Sequence, residues 1–452
     1  MGYYSLKSRW HKTRFGDALL ASLAPDGGLW MPDSIPRFTP EQTAEMGAMS
    51  FAECSAKLAR FFVIDRRFSD EALHEICEDA YNFPVTIRTF EGIHLDAATP
   101  EIANEYILEL FHGPTLAFKD FAARFMGRAS SHLLTQKGTK RTILVATSGD
   151  TGGAIGEAFL NQEGIQVFIL FPKGGVSKVQ EQQLTTIGEG HANVRAIAVD
   201  GSFDDCQQLV KDAFADRKLS KKHNLMSANS INVGRVIPQS FYYFWTSLQI
   251  KAAHPGLPIV YSIPSGNLGN LTGGLIARKM GAPIDRFIVA NNANCPFVDY
   301  LAKGEYEPRD SVPTLSNAMD IGRPNNFPRI LNLFKSSHSA MQDVCWGASF
   351  SDEQTERHMR RIHAETGYVM CPHTAVGHLG MREFSKDIDT EFIKVTVATA
   401  HPAKFADSVE RILREDIKLP DALQTAMNRE KVMDILGPTL DELREYLGEH
   451  AQ

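Results

Sequence analysis

The sequence predicts an α/β protein built on two parallel sheets, preceded by a separate N-terminal region. Three observations carry this. Short, almost continuously apolar and β-branched runs recur from "YILELF" onward. Helix-like segments separate them, the pattern of strands buried on both faces. The chain has 452 residues, more than one hydrophobic core organises, so two or three domains are expected.

Taken in order, the chain up to about Arg88 reads as mostly helical. "APDGGLWMPDSIP" punctuates it, and an apolar stripe runs through "EMGAMSFAECSAKLARFF". No catalytic constellation stands out there, and residues 1–95 are expected to form an N-terminal domain. The strand candidates that follow include "RTILVAT", "IQVFILF", "VRAIAVD", "IVYSIP", "RFIVAN" and "IKVTVATA". Helices are expected over 118–135, 152–161, 203–217, 232–251 and 269–280. The division this suggests is a smaller α/β domain over 96–225 and a larger one over 226–452. The tail after Leu419 reads as helical.

Composition narrows the function. Apolar residues make up 43% and charged residues 22% of the chain, ordinary for a globular protein, and the net charge is -7. An acidic balance argues against a nucleic-acid binder. No run approaches a membrane span and the N-terminus has no apolar core of signal-peptide length, so a cytoplasmic protein without a membrane partner is expected. The six cysteines are scattered with no Cys-x-x-Cys, which reads as reduced thiols. The histidines, among them His112, His191 and His373, show no metal-ligand spacing, and no metal is assigned.

In open α/β sheets ligands bind where strands end, so the loops after these runs matter most. "GPTLAFKD" places Lys119 among apolar and small residues, with Phe111, Phe118 and Phe121 close in sequence. Such a lysine either snorkels its amine to water over the rings or is a desolvated functional amine. After "RTILVA" comes Thr147-Ser148-Gly149-Asp150-Thr151-Gly152-Gly153, whose hydroxyls and free amides suit an anion, and equally a cap with a tight turn. After "IVYSIP" comes Ser265-Gly266-Asn267-Leu268-Gly269-Asn270, a Gly-rich cradle that fits neither a P-loop nor Gly-x-Gly-x-x-Gly. "SANSINVGR" contributes Asn229, Ser230, Asn232 and Arg235, an oxyanion receptor or an N-cap with an exposed arginine. "VTVATAHPAKF" ends a strand at Thr399, whose hydroxyl suits a ring nitrogen; His401, before proline, reads as structural.

One lysine in apolar company, a phosphate cradle and a hydroxyl-rich loop for a carboxylate together describe pyridoxal-phosphate (PLP) catalysis. Burial disfavours the ammonium, and the neutral amine can form a Schiff base and move protons. PLP provides the electron sink.

With these residues in view, the chain resembles the threonine synthases. The resemblance rests on "HGPTLAFKDFAARFMGR", "ATSGDTGGA", "SANSINVGR", "PSGNLGN", "TLSNAMDIGRPNNFPRI", "PHTAVG" and "TAHPAKF", in the family's order, and on the opening "YYSLKSRWHKTRFGDALLASLAPDGGLWMPDSIP". It covers essentially the whole chain and points to the longer bacterial and fungal branch. It implies the fold-type II PLP architecture: two α/β domains with the cofactor between them, plus an N-terminal domain. It implies conversion of O-phospho-L-homoserine and water to L-threonine and phosphate, by a monomer or dimer. Carried over by motif, Lys119 would hold PLP. Gly266, Asn267, Leu268, Gly269 and Asn270 would cradle its phosphate, Thr399 would face the pyridine nitrogen, and Asp150 would lie near the 3′-oxygen. Thr147, Ser148 and Thr151 would receive the substrate carboxylate, and Asn229, Ser230 and Arg235 the substrate phosphate. Two departures stand out: Gly-Asn-Leu-Gly-Asn where Gly-Asn-Phe-Gly-Asp is expected, and "NNANCPF". The alternative reading is a related protein that binds PLP or a phosphate ester without turnover. Threonine dehydratase, cysteine synthase and the tryptophan synthase β-subunit share the fold type, but none should carry "NAMDIGRPNN" with this opening.

Overall fold

Every apolar run named above is a strand. The computed structural model describes residues 2–89, 104–187 and 193–451, so the expected boundary at 95/96 and His191 lie outside the described residues. The larger sheet has six strands, in the order Cys345–Ser349, Arg286–Asn291, Ile259–Pro264, Ile393–Ala398, Glu105–Glu109 and Thr86–Thr89. All its pairings are parallel except that of Thr86–Thr89 with Glu105–Glu109. The second sheet has five parallel strands, in the order Asp434–Leu436, Val194–Val199, Ile165–Pro172, Arg141–Ala146 and Leu225–Met226. Helices cover these sheets, which is why strands such as Ile259–Pro264 are buried along their whole length.

Sheet membership does not follow the division at 225/226. The strand Glu105–Glu109 joins the larger sheet, and Asp434–Leu436, inside the tail read as helical, joins the smaller one beside Val194–Val199. Sequence position does not reveal which neighbour a parallel strand takes, and a three-residue edge strand leaves no alternation to read. The helix expected over 232–251 is two helices, Val233–Val236 and Gln239–Ala253, because Pro238 cannot donate in an unbroken ladder.

The N-terminal region contains a three-stranded antiparallel sheet (Lys12–Thr13, Tyr3–Ser5, Trp30–Pro32) as well as its expected helices. Thr39 and Ser50 start two of these helices with reciprocal capping boxes. The region is no detached arm. Phe51 packs edge-on against Phe121 and Trp245, with ring centroids 5.6 and 5.8 Å away, and Phe15, Leu19 and Phe62 lie in one core with Phe125 and Tyr242.

Candidate active site

Three neighbouring strands of the larger sheet deliver three of the expected loops to one edge. Ile393–Ala398 lies between Glu105–Glu109 and Ile259–Pro264, and all three run parallel. The segment leading to Lys119, the turn after Thr399 and the cradle at 265–270 therefore meet at their carboxyl ends. The Phe118 N–H donates to the Thr399 carbonyl at 2.8 Å, and the His401 N–H to that of Leu116 at 3.0 Å. His401 itself caps the following turn by accepting from the Ala403 N–H, the structural role its place before proline suggests.

Lys119 opens the helix Lys119–Lys137, and 15% of its side chain remains exposed. Its Nζ lies 3.4 Å from Asp150 Oδ2, which the second sheet supplies from the loop after Arg141–Ala146. Burial lowers the affinity of this amine for its proton; Lys404 and Arg235 add to that, and Asp150 opposes it. Asp150 is itself buried. Burial works against its ionised form, but Lys404 and Lys119 outweigh that and hold the carboxyl far below the usual range.

The cradle has the form expected of an anion receptor. Among the described residues, no main-chain N–H of residues 266–270 meets a protein acceptor, and the run ends at the start of the helix Gly269–Met280. Leu268 sits at φ 60°, a left-handed conformation that an L-residue adopts only under constraint. The segment 317–326 packs over the loop: a Cβ on Gly266 would come within 2.9 Å of Met319 Cα, and the Asn325 N–H donates to Asn267 Oδ1 at 2.9 Å. Asn270 is buried, with its Oδ1 taken by the Tyr242 and Tyr243 hydroxyls at 2.5 and 2.9 Å and its Nδ2 without a partner among the described residues.

In the loop that carries Asp150, the Thr147 hydroxyl accepts from the Gly149 and Gly152 amides at 2.9 and 2.8 Å, so it shapes its own loop. The amides of Ser148, Asp150 and Thr151 meet no acceptor among the described residues. Arg235 is buried; one Nη donates to the Ala228 carbonyl at 2.6 Å, its Nε has no partner among the described residues, and burial pushes it down to about 10. Asn229 and Ser230 lie half-buried in the loop before it, and Arg329 fixes that loop. The Arg329 guanidinium is fully buried, brought down to about 9 by burial, and donates to the carbonyls of Ser230 and Ile231 at 2.9 and 2.7 Å.

Three residues here carry no role in the sequence reading. Lys404 stands inside "TAHPAKF", Arg329 inside "NNFPRI" and His373 inside "PHTAVG", each within a recognised motif but unmarked by residue type. His373 is buried, accepts from the Ala318 N–H at 3.2 Å, and its Nδ1 has no partner among the described residues. Burial pushes it down to about 4, with Asp150 opposing and Lys119 adding to the shift.

These residues fit pyridoxal phosphate. A desolvated amine, a run of free amides with a buried carboxamide for a phosphate, and a hydroxyl at a strand end stand at the carboxyl ends of neighbouring strands of the larger sheet, with Asp150 supplied from the smaller one. That chemistry in that place is the mark of a pyridoxal-phosphate-dependent enzyme, and residues 94–400 match the family of that description. The ends of the chain narrow the class: residues 2–81 match the threonine synthase N terminus and residues 374–447 the threonine synthase C-terminal family. The chain is 39% identical to the threonine synthase of Escherichia coli (strain K12) over 94% of each protein. It superposes on PLP-bound threonine synthase from Brucella melitensis with a TM-score of 0.91, at 34% identity over 100% of both chains. Threonine synthase from yeast matches with a TM-score of 0.89, at 29% identity over 99% of this chain and 98% of that one. The chain belongs to the threonine synthase family, whose members are PLP-dependent lyases.

Among the described residues, no helix is long and apolar enough to cross a membrane.

Proposed function

We propose that the protein converts O-phospho-L-homoserine and water to L-threonine and phosphate in the cytoplasm, with Lys119 as the amine that carries the cofactor and moves the protons. The observation that carries this reading is a desolvated lysine with two anion receptors in its surroundings: the free amides of 266–270 at the end of a strand in the same sheet, and Arg235, whose charge bears on Lys119 and whose Nε has no partner among the described residues. Two receptors suit a site that takes two phosphates, the cofactor's and the substrate's.

Pyridoxal phosphate, when bound, supplies the electron sink that makes the substrate's Cα and Cβ protons removable. The chain's own residues supply the rest. Gly266 to Asn270 would hold the cofactor phosphate, and Thr399 would offer the ring nitrogen a neutral hydroxyl. The free amides of Ser148 and Thr151 receive the substrate carboxylate, in a loop whose shape Thr147 sets. Asn229, Ser230 and Arg235 grip the substrate phosphate, which orients the Cγ–O bond for departure. Lys119 Nζ would take the Cα proton and then the Cβ proton, phosphate would leave from Cγ, and the amine would return protons at Cγ and, once water has added at Cβ, at Cα.

The test is incubation of the holoenzyme with O-phosphohomoserine. Threonine and phosphate in equal amounts are expected; 2-oxobutanoate in place of threonine would make it a dehydratase. Arg235→Ala should raise KM about tenfold or more with the visible cofactor band intact. Unchanged kinetics would remove Arg235 from the site.

A further inference from the structure

Two lysines share one carboxylate at the centre of this site. Asp150 Oδ1 takes Lys404 Nζ at 3.0 Å and Gln180 Nε2 at 3.0 Å, while Oδ2 faces Lys119 Nζ at 3.4 Å. The two amines are not equivalent. Lys404 is 1% exposed and also donates to the Thr115 carbonyl at 2.6 Å. Its own carbonyl accepts from Ser177 Oγ at 3.0 Å, at the start of the helix that carries Gln180, so both ends of the residue are fixed. For Lys119, the long contact to Asp150 is the one hydrogen bond its amine makes among the described residues.

One carboxylate cannot compensate two buried ammonium ions. The shorter contact and the second protein acceptor pair Lys404, not Lys119, with this carboxylate. Lys119 is then the surplus cation, and losing its proton relieves the excess. The other groups facing this centre leave that excess standing, because Asp120 brings one further carboxyl and Arg235 one further cation. Arg235 adds a further positive charge beside Lys119, and His373 bears on both Lys119 and Asp150. Cys371 faces Asp150. Asp120, buried beside Lys404, is engaged by the Thr115 amide and hydroxyl at 2.9 and 2.5 Å.

We propose that Lys404 is the dedicated counter-ion of Asp150, a positioning residue that takes up the charge of this carboxylate and so leaves Lys119 a free amine, ready to take the cofactor and to move protons. The inference rests on Lys119 being the cofactor lysine. It gives Asp150 two tasks: with Lys404 it forms a closed ion pair, and with its second oxygen it holds the Lys119 amine in place.

The experiment follows covalent capture of pyridoxal phosphate by the full-length, cofactor-free protein, as growth of the visible band, across pH. The rate should rise with pH through a midpoint that reports Lys119. Lys404→Met removes the cation but keeps the stem. Its midpoint should rise by about one pH unit, a roughly tenfold slower capture at a fixed pH below it. Lys404→Arg should restore the wild-type midpoint. A purely structural lysine would lower thermal stability without moving the midpoint, so a folded Lys404→Met protein with the wild-type midpoint overturns the proposal. Should the methionine variant not fold, Lys404→Gln, which can still donate to Thr115, is read the same way. Covalent capture that survives in Lys119→Ala would instead overturn the assignment of Lys119, and the inference with it.

Discussion

The carboxamide of Asn232 donates to the main-chain carbonyl of Leu19 at 2.8 Å, joining residues 213 positions apart. The same nitrogen reaches the Ser227 carbonyl at 2.9 Å, and the Asn232 oxygen caps the short helix that bears Arg235 by accepting from the Gly234 amide. The N-terminal helix Phe15–Ala21 thus backs the loop and short helix that bear Asn232 and Arg235. The fit is close: a Cβ on Gly234 would fall 2.2 Å from Leu19 Cδ1. Asn232→Ala should therefore cost about 2–3 kcal/mol of stability by orphaning buried groups. It should also raise KM for substrate more than it lowers kcat, since the loop loses its anchor. Urea unfolding with steady-state kinetics checks both; a neutral substitution would separate the N-terminal region from the site.

Gly266 is the narrowest point of the cradle. A methyl group there would press on the main chain at Met319, which has no flexible end to yield. Gly266→Ala should weaken cofactor affinity about tenfold or more, read by titrating the cofactor-free protein with pyridoxal phosphate. Pyridoxal, which lacks the phosphate, should bind both proteins alike. Equal loss for both ligands would mean a displaced loop, not a blocked phosphate site.

His373 makes acid stability a reporter of the site. Its folded value of about 4 lies below the value near 6.5 that an exposed imidazole takes. Between these values the unfolded chain binds more protons, so stability falls with falling pH. The contribution is complete above about pH 6.5 and is lost as the pH drops through 4, on the order of 3 kcal/mol. His373→Asn should flatten that slope in urea midpoints measured at several pH values. A slope identical to wild type would show that this imidazole does not titrate with unfolding.

The parts of this molecule legible in the sequence were those where residue type and environment coincide. Runs such as Ile259–Pro264 and Ile393–Ala398 are buried on both faces, so their composition declared them. The helix Gly269–Met280 starts at the cradle and stops at Gly281, whose φ of 106° suits glycine. The edge strands Cys345–Ser349 and Asp434–Leu436 escaped because their partial exposure leaves no apolar run. Lys404 and Arg329 escaped for a different reason. A lone basic residue in sequence reads as solvated, and only the fold shows Lys404 turned back on Thr115, 289 positions earlier. The motifs located the loops; which charges are buried in them depends on contacts between distant segments.

The most direct measurement concerns Lys119 itself. Borohydride reduction of the holoenzyme, followed by peptide mass analysis, should place the cofactor's mass on the peptide bearing Lys119. Lys119→Ala should show neither that label nor the visible band. Label on Lys404 or any other lysine, or a full visible band in Lys119→Ala, would contradict the account.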